Sequence, residues 1–108
     1  MRVFEYSLVT NGSMGASITS ALQNLEQMMM AGIQANWSGT SPVGTLSLQI
    51  SNDNTTWTDY SGSSTSVSGN TGNFMWNLWA TPYQYIRVIY TRASGTGTLN
   101  VTVNGKGV

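Results

Sequence analysis

The chain has 108 residues, of which four are basic and four acidic, and it contains neither histidine nor cysteine. That composition excludes a disulfide framework, a thiolate nucleophile, a cysteine-based metal site and a histidine-dependent catalytic triad. Four cations (Arg2, Arg87, Arg92 and Lys106) cannot neutralise a run of phosphates, so neither nucleic acid nor an anionic membrane is an expected partner, and no cofactor is implied.

The length fits one domain over residues 1–108, with an N-terminal strand and an ambiguous segment in 1–27 and a sandwich core in 28–108. A 40% hydrophobic content with four Trp, five Tyr and two Phe is enough for a packed core and argues against disorder. Small soluble domains usually carry about 25–35% charged residues on their surfaces. Here only 7% of all residues are charged, which predicts that much of the surface meets protein. Glu5 interrupts any apolar run at the N-terminus, so a signal peptide is not expected and synthesis in a cytoplasm is.

Residues 3–10 alternate, with Phe4, Tyr6 and Leu8 on one face, which is the period of a half-buried strand. Asn11-Gly12 predicts a turn after it. Residues 17–33 carry two signals. Ile18, Leu22, Leu25, Met29 and Ile33 have helical spacing, whereas Ile33, Ala35 and Trp37 alternate as in a strand. Strand is expected from about residue 28 onward, and residues 20–27 stay open between a helical turn and an extended piece.

Residues 39–44 contain Pro42 and predict a turn. Residues 45–51 alternate, with Leu46, Leu48 and Ile50 inward. Asn52-Asp53-Asn54 predicts a tight turn, because Asn and Asp accept left-handed backbone and bond their own main chain. Residues 56–60 follow as a short strand with Trp57 inward, and residues 61–72 read as a loop without periodicity. Residues 73–79 are apolar on both faces, which predicts a central strand or one lying under a partner. Residues 85–91 place Ile86, Val88 and Tyr90 on one face. Residues 93–95 turn the chain, and residues 98–103 close a hairpin with Leu99, Val101 and Val103 inward. About seven or eight short strands separated by turn signals predict an all-β fold, a single antiparallel β-sandwich or jelly roll.

Few constellations could carry chemistry. The carboxylates are Glu5, Glu26, Asp53 and Asp59, and glycoside hydrolysis needs two of them facing a cleft about 5–10 Å apart. Only Asp53 and Asp59 are near in sequence, and turn-forming is the common role of such an Asp. No catalytic, cofactor or metal residues are assigned. Ser51, Asp53 and Trp57 are read as a structural turn in which the carboxylate folds the loop and the indole anchors the outgoing strand. Two groups remain as surface candidates. Trp79, Tyr83 and Tyr85 around Pro82 would stack on a glycan or on another subunit, with plain strand packing as the competing role. Met28, Met29 and Met30 cannot all point inward from a strand, so at least one faces out, and flexible thioethers suit an adaptable contact.

Residues 33–40 (Ile-Gln-Ala-Asn-Trp-Ser-Gly-Thr), 43–53, 57–59, 85–92 and 94–100 together resemble small β-sandwich virion proteins of bacteriophages, found on capsid surfaces, spikes or tails. The resemblance covers about residues 33–107 and rests on turn and core patterns. It implies a non-enzymatic structural protein of the virion, assembled in the bacterial host cytoplasm, of the capsid-decoration (cement) or spike kind. It further implies a homo-oligomer, trimeric by expectation, seated on other virion proteins such as the major capsid protein. A carbohydrate- or receptor-binding module using the exposed aromatics is the alternative. Residues 45–51 and 98–103 carry no charge, and free sheet edges are normally guarded by charge or proline, so these two segments are expected to be edges covered by another chain.

Overall fold

The computed structural model describes residues 2–25, 28–78, 81 and 83–107. They form an all-β, sandwich-like fold from eight strands: β1 (Arg2–Ser13), β2 (Ile18–Thr19), β3 (Gln23–Asn24), β4 (Met30–Ser51), β5 (Thr58–Asp59), β6 (Thr65–Val67), β7 (Thr71–Leu78) and β8 (Tyr85–Gly107).

Two of these strands dominate. β4 has 22 residues and β8 has 23, and they pair antiparallel from Met30↔Lys106 to Ser51↔Tyr85. At about 3.3 Å per residue a straight strand of that length would reach about 70 Å. The molecule is only 41 Å in its longest dimension, so the ribbon bends back on itself. In the first layer the order is β1, the second half of β8, the first half of β4, then β7. In the second layer the other halves of β8 and β4 are flanked by β2 and β3 on one side and by β5 and β6 on the other.

The bend is a pair of bulges. Thr40 faces Thr96, Val43 faces Ser94 and Gly44 faces Arg92. β4 therefore carries one extra residue in the first step and β8 one in the second. Because strand side chains alternate with period two, one extra residue changes which parity points inward. Buried positions on β4 are odd before the bend (Ala31, Ile33, Ala35, Trp37) and even after it (Leu46, Leu48). On β8 they are even before it (Ile86, Val88, Tyr90) and odd after it (Leu99, Val101, Val103). All of these side chains meet in one hydrophobic core.

Backbone fit makes the corner specific. Gly39 pairs with Gly97, and a Cβ on Gly39 would lie 2.2 Å from the Gly97 Cα. Gly95 has φ +76°, and a Cβ there would lie 2.0 Å from the Ser41 carbonyl oxygen. Ser41 itself has φ +46°; its N–H donates to the Asn70 side-chain oxygen at 2.9 Å, while the Gly39 N–H donates to the Asn70 carbonyl at 2.7 Å. From inside the corner, the fully buried Tyr90 donates its hydroxyl to the Val43 carbonyl at 3.2 Å. Burial raises the pKa of that phenol above its ordinary value.

Several expectations change. Residues 20–25 contain no helix: the segment lays β2 and β3 along β8 as extended pieces. Asn11-Gly12 does not end β1, which continues to Ser13 through two register shifts. Residues 85–91 and 98–103 do not form a hairpin with each other, because both belong to β8 and both pair with β4. Residues 61–72 are not an unstructured loop: β6 pairs with β4, Ser63 and Val67 are buried, and the Ser63 hydroxyl accepts the Leu48 N–H at 3.0 Å. Residues 45–51 and 98–103 lie in the centre of their layers rather than at edges. β7, expected to be central or under a partner, pairs only with β4 among the described residues and is therefore an edge.

Gly95→Ala is expected to lower the unfolding free energy by about 2–4 kcal/mol, since it adds a clash to left-handed strain. Gly62→Ala has the same kind of strain (φ +80°) but meets nothing within 4 Å, and is expected to cost about 1 kcal/mol. Urea midpoints compare the two; equal losses would show that the corner contact is not limiting.

Candidate interaction surface

The layers differ on their outward sides. On the first layer the outward positions of β4 are Met30, Gly32, Gln34, Asn36 and Ser38, and those facing them on β8 are Lys106, Asn104, Thr102, Asn100 and Thr98. β7 adds Asn77, Met75, Asn73 and Thr71 beside them. β1 adds Val3, Glu5 and Ser7 on the far side. Among these outward side chains only Glu5 and Lys106 are charged, and both lie toward one end.

Cross-strand register lines up amides. Asn73, Asn36 and Asn100 are successive neighbours across β7, β4 and β8, and the Asn100 side-chain oxygen also accepts the Asn11 N–H at 2.9 Å. Beside this row a shallow hollow of about 310 Å³ is lined by Met30, Gly32, Gln34, Met75, Asn104 and Lys106 among others. Its floor is low because Gly32 has no side chain, and its rim is apolar because Met30 and Met75 are 37% and 45% exposed. Val3, at 65% exposed, lies across Lys106 from Met30 and extends the apolar end. The surface can offer amide and hydroxyl hydrogen bonds and adaptable thioether contacts, with little that depends on charge.

The second layer places its ionic groups differently. Gln49 sits between Asp59 and Arg87 on neighbouring strands. It donates to the Asp59 carboxylate at 3.0 Å and accepts from Arg87 Nε at 2.9 Å. The Arg87 guanidinium lies 4.1 Å from the centre of the Trp57 ring, a cation–π contact. Trp57 is therefore half-buried on the outward side, not an anchor in the core as its spacing implied. Tertiary register brings these four residues together, and no sequence signal joined them.

Two of the three residues read as the turn, Ser51 and Asp53, bond its backbone; Trp57 takes no part in these bonds. Asp53 Oδ1 accepts the N–H groups of Thr56 at 2.8 Å and Thr55 at 2.9 Å, and the Ser51 hydroxyl at 3.0 Å. Ser51 Oγ accepts the N–H groups of Asp53 and Asn54. Asn54 takes the left-handed conformation, with φ +59°. These bonds to the ionised carboxylate, the Thr56 N–H first, hold the Asp53 pKa at about 2. Asp59 belongs to the Gln49 bridge, so the two aspartates act separately.

The remaining candidates divide. Met28 is buried (5% exposed) and covers Gly105, which removes it from the surface; Met29 and Met30 are exposed. Trp79 and Pro82 lie outside the described residues. The Tyr83 ring meets the Tyr60 ring edge-on at 6.0 Å and packs on the core. Its buried hydroxyl makes no hydrogen bond of normal geometry; burial pushes the pKa up to about 12, and the Tyr60 phenol adds to the rise. Tyr85 has the outward parity of β8, so Tyr83 and Tyr85 do not share one stacking face.

No protein-family model matches the chain, and no curated protein matches it. Solved structures match it in fold. The SPBc2 prophage-derived protein YomS is similar over 97% of this chain and 96% of its own, with a TM-score of 0.62 at 14% identity. A structure of the infectious bursal disease virus Gx strain is similar over 95% of this chain, with a TM-score of 0.58 at 8% identity. The mutant VP2 protein of that virus in derived T=1 particles is similar over 98% of this chain, with a TM-score of 0.55 at 12% identity. The chain spans about a third of each of the latter two proteins (31% and 32%) and nearly the whole of YomS. The TM-scores and coverages show a shared β fold.

The Asp53 turn yields a pH prediction. Its carboxyl titrates at about 2 in the folded chain against 3.8 ordinarily. A depressed folded pKa means that its stabilising effect is complete above 3.8 and is lost as pH falls toward 2. Denaturation between those values should therefore show a steeper loss in the parent than in Asp53→Asn. Parallel curves would show that the carboxylate is not held.

Proposed function

We propose that the chain is a non-enzymatic structural subunit of a bacteriophage particle, a capsid-decoration (cement) or spike-type module seated on other virion proteins such as the major capsid protein. The observation that carries this reading is the outward side of the first layer. It is four strands wide, rich in amide and hydroxyl groups, edged by exposed methionines, and charged only at Glu5 and Lys106. A free small protein keeps itself apart from others by surface charge, and the outward side chains described on this face include only Glu5 and Lys106 as charged groups. The fold likeness to a prophage-derived protein along the whole chain, and to VP2 in particles, supports the same reading.

The chemistry of the face predicts how the subunit is held. Contacts between neutral amides, hydroxyls and thioethers have little charge to screen. The chain should be detected by mass spectrometry in purified particles, and should stay on them through washing at about 1 M salt, where the screening length is about 3 Å. Absence from the particles, or release at moderate salt, would overturn the reading.

A further inference from the structure

The two edges of the first layer are unlike. β1 is interrupted by two register shifts, between Ser7 and Val9 and between Val9 and Gly12, and carries Glu5 outward. Bulges and charge are the usual protection of an edge. β7 has neither. It runs unbroken from Ala31↔Leu78 to Ser38↔Thr71, with no charge and no proline in its eight residues. Its outer edge leaves backbone donors and acceptors to be paired.

The sequence of that edge reads Asn73-Phe74-Met75-Trp76-Asn77. About Met75 it is the same in residue type in both directions: amide, aromatic, thioether, aromatic, amide. An antiparallel strand pair with a two-fold axis places each residue opposite its mirror position. With the axis through Met75, Met75 faces Met75 of the second copy, Asn73 faces Asn77, and Phe74 faces Trp76. A charge at the axial position would face its own copy, and the residue there, Met75, is neutral.

We propose that β7 pairs antiparallel with β7 of a second copy of this chain, joining two first layers into one continuous sheet of eight strands. The outward amide row of Asn100, Asn36 and Asn73 then continues into Asn77 of the second copy, beyond which Gly32 separates it from Asn104. The methionine-rimmed hollows of both copies come to lie on either side of the axis. Phe74, 37% exposed and already in edge contact with Trp76 at 5.2 Å, gains an aromatic cross-strand partner. Heterologous pairing of β7 with β1 is disfavoured by the bulges of β1, so the contact closes at two copies. The pairing does not depend on the particle role: one is read in solution, the other on particles.

The chain has no cysteine, which makes a single introduced thiol informative. Facing Cα atoms in an antiparallel pair are about 4.5–5.5 Å apart, within the range of about 4.4–6.8 Å that a disulfide spans. The full chain should have twice the 11.6 kDa monomer mass by light scattering. Met75→Cys should convert to a disulfide-linked dimer under mild oxidation, while Val3→Cys, at a more exposed position, should not. Asn73→Lys with Asn77→Lys should give a monomer of unchanged circular dichroism. Asn73→Lys with Asn77→Glu, which sets opposite charges across the axis, should restore the dimer. A monomeric or trimeric parent, equal crosslinking at Val3→Cys, or the same mass for both double variants would overturn the pairing.

Discussion

The paired bulge where β4 and β8 turn together is the constraint on which the rest of the structure depends. A flat ribbon of two strands this long would expose both faces and could not enclose a core. The extra residue in each strand bends the ribbon and changes the inward parity of both halves together, so the apolar set of each half meets the other. Gly39, Gly97 and Gly95 let the two backbones approach, and Asn70 supplies the partners that the bent segment of β4 would otherwise lack. Tyr90 ties the inside of the corner to Val43. The shorter strands follow from this ribbon: β1 and β7 extend its first half, while β2, β3, β5 and β6 cover the flanks of its second.

That arrangement also decides where the scarcity of charge falls. The uncharged segments 45–51 and 98–103 are central strands, whose neutrality reflects coverage on both flanks. Further neutral positions lie on the outward side of the first layer, Thr98, Asn100 and Thr102 among them, and along the edge of β7. The second layer keeps Asp59 and Arg87 on its outer side, connected through Gln49 and stacked on Trp57. Each layer thus carries one acid and one base on its outward side: Glu5 and Lys106 toward one end of the first, Asp59 and Arg87 bridged through Gln49 on the second.

The local chemistry of the surface has a similar logic. Three adjacent methionines are sorted by the chain leaving the core to begin β4: Met28 fills the space above Gly105, and Met29 and Met30 emerge. Asp53 and Ser51 fold their turn through backbone donors within five residues, so that turn needs nothing from the rest of the fold. Tyr83 is drawn inward by Tyr60, while Tyr85, two residues on, takes the outward parity of β8.

Sequence alone determined the all-β class, the inward sets Leu46 and Leu48, Ile86 to Tyr90 and Leu99 to Val103, and the Asp53 turn. Each of these is a local property: a period of two, or a side chain that bonds its own backbone. Tertiary structure decided which strands are neighbours, since alternation reports the face of a side chain and is silent on what lies beside the strand. For that reason 45–51 and 98–103 read as edges, and β7 as central or lying under a partner. The bend read as turns at residues 39–44 and 93–95 because glycine and proline mark a corner and a reversal alike. Register, which a one-residue bulge resets, also placed Trp57 against Arg87 and gathered Met30, Gly32 and Met75 around one hollow. Those groupings join residues as far apart as Met30 and Met75, and no local signal spans that distance.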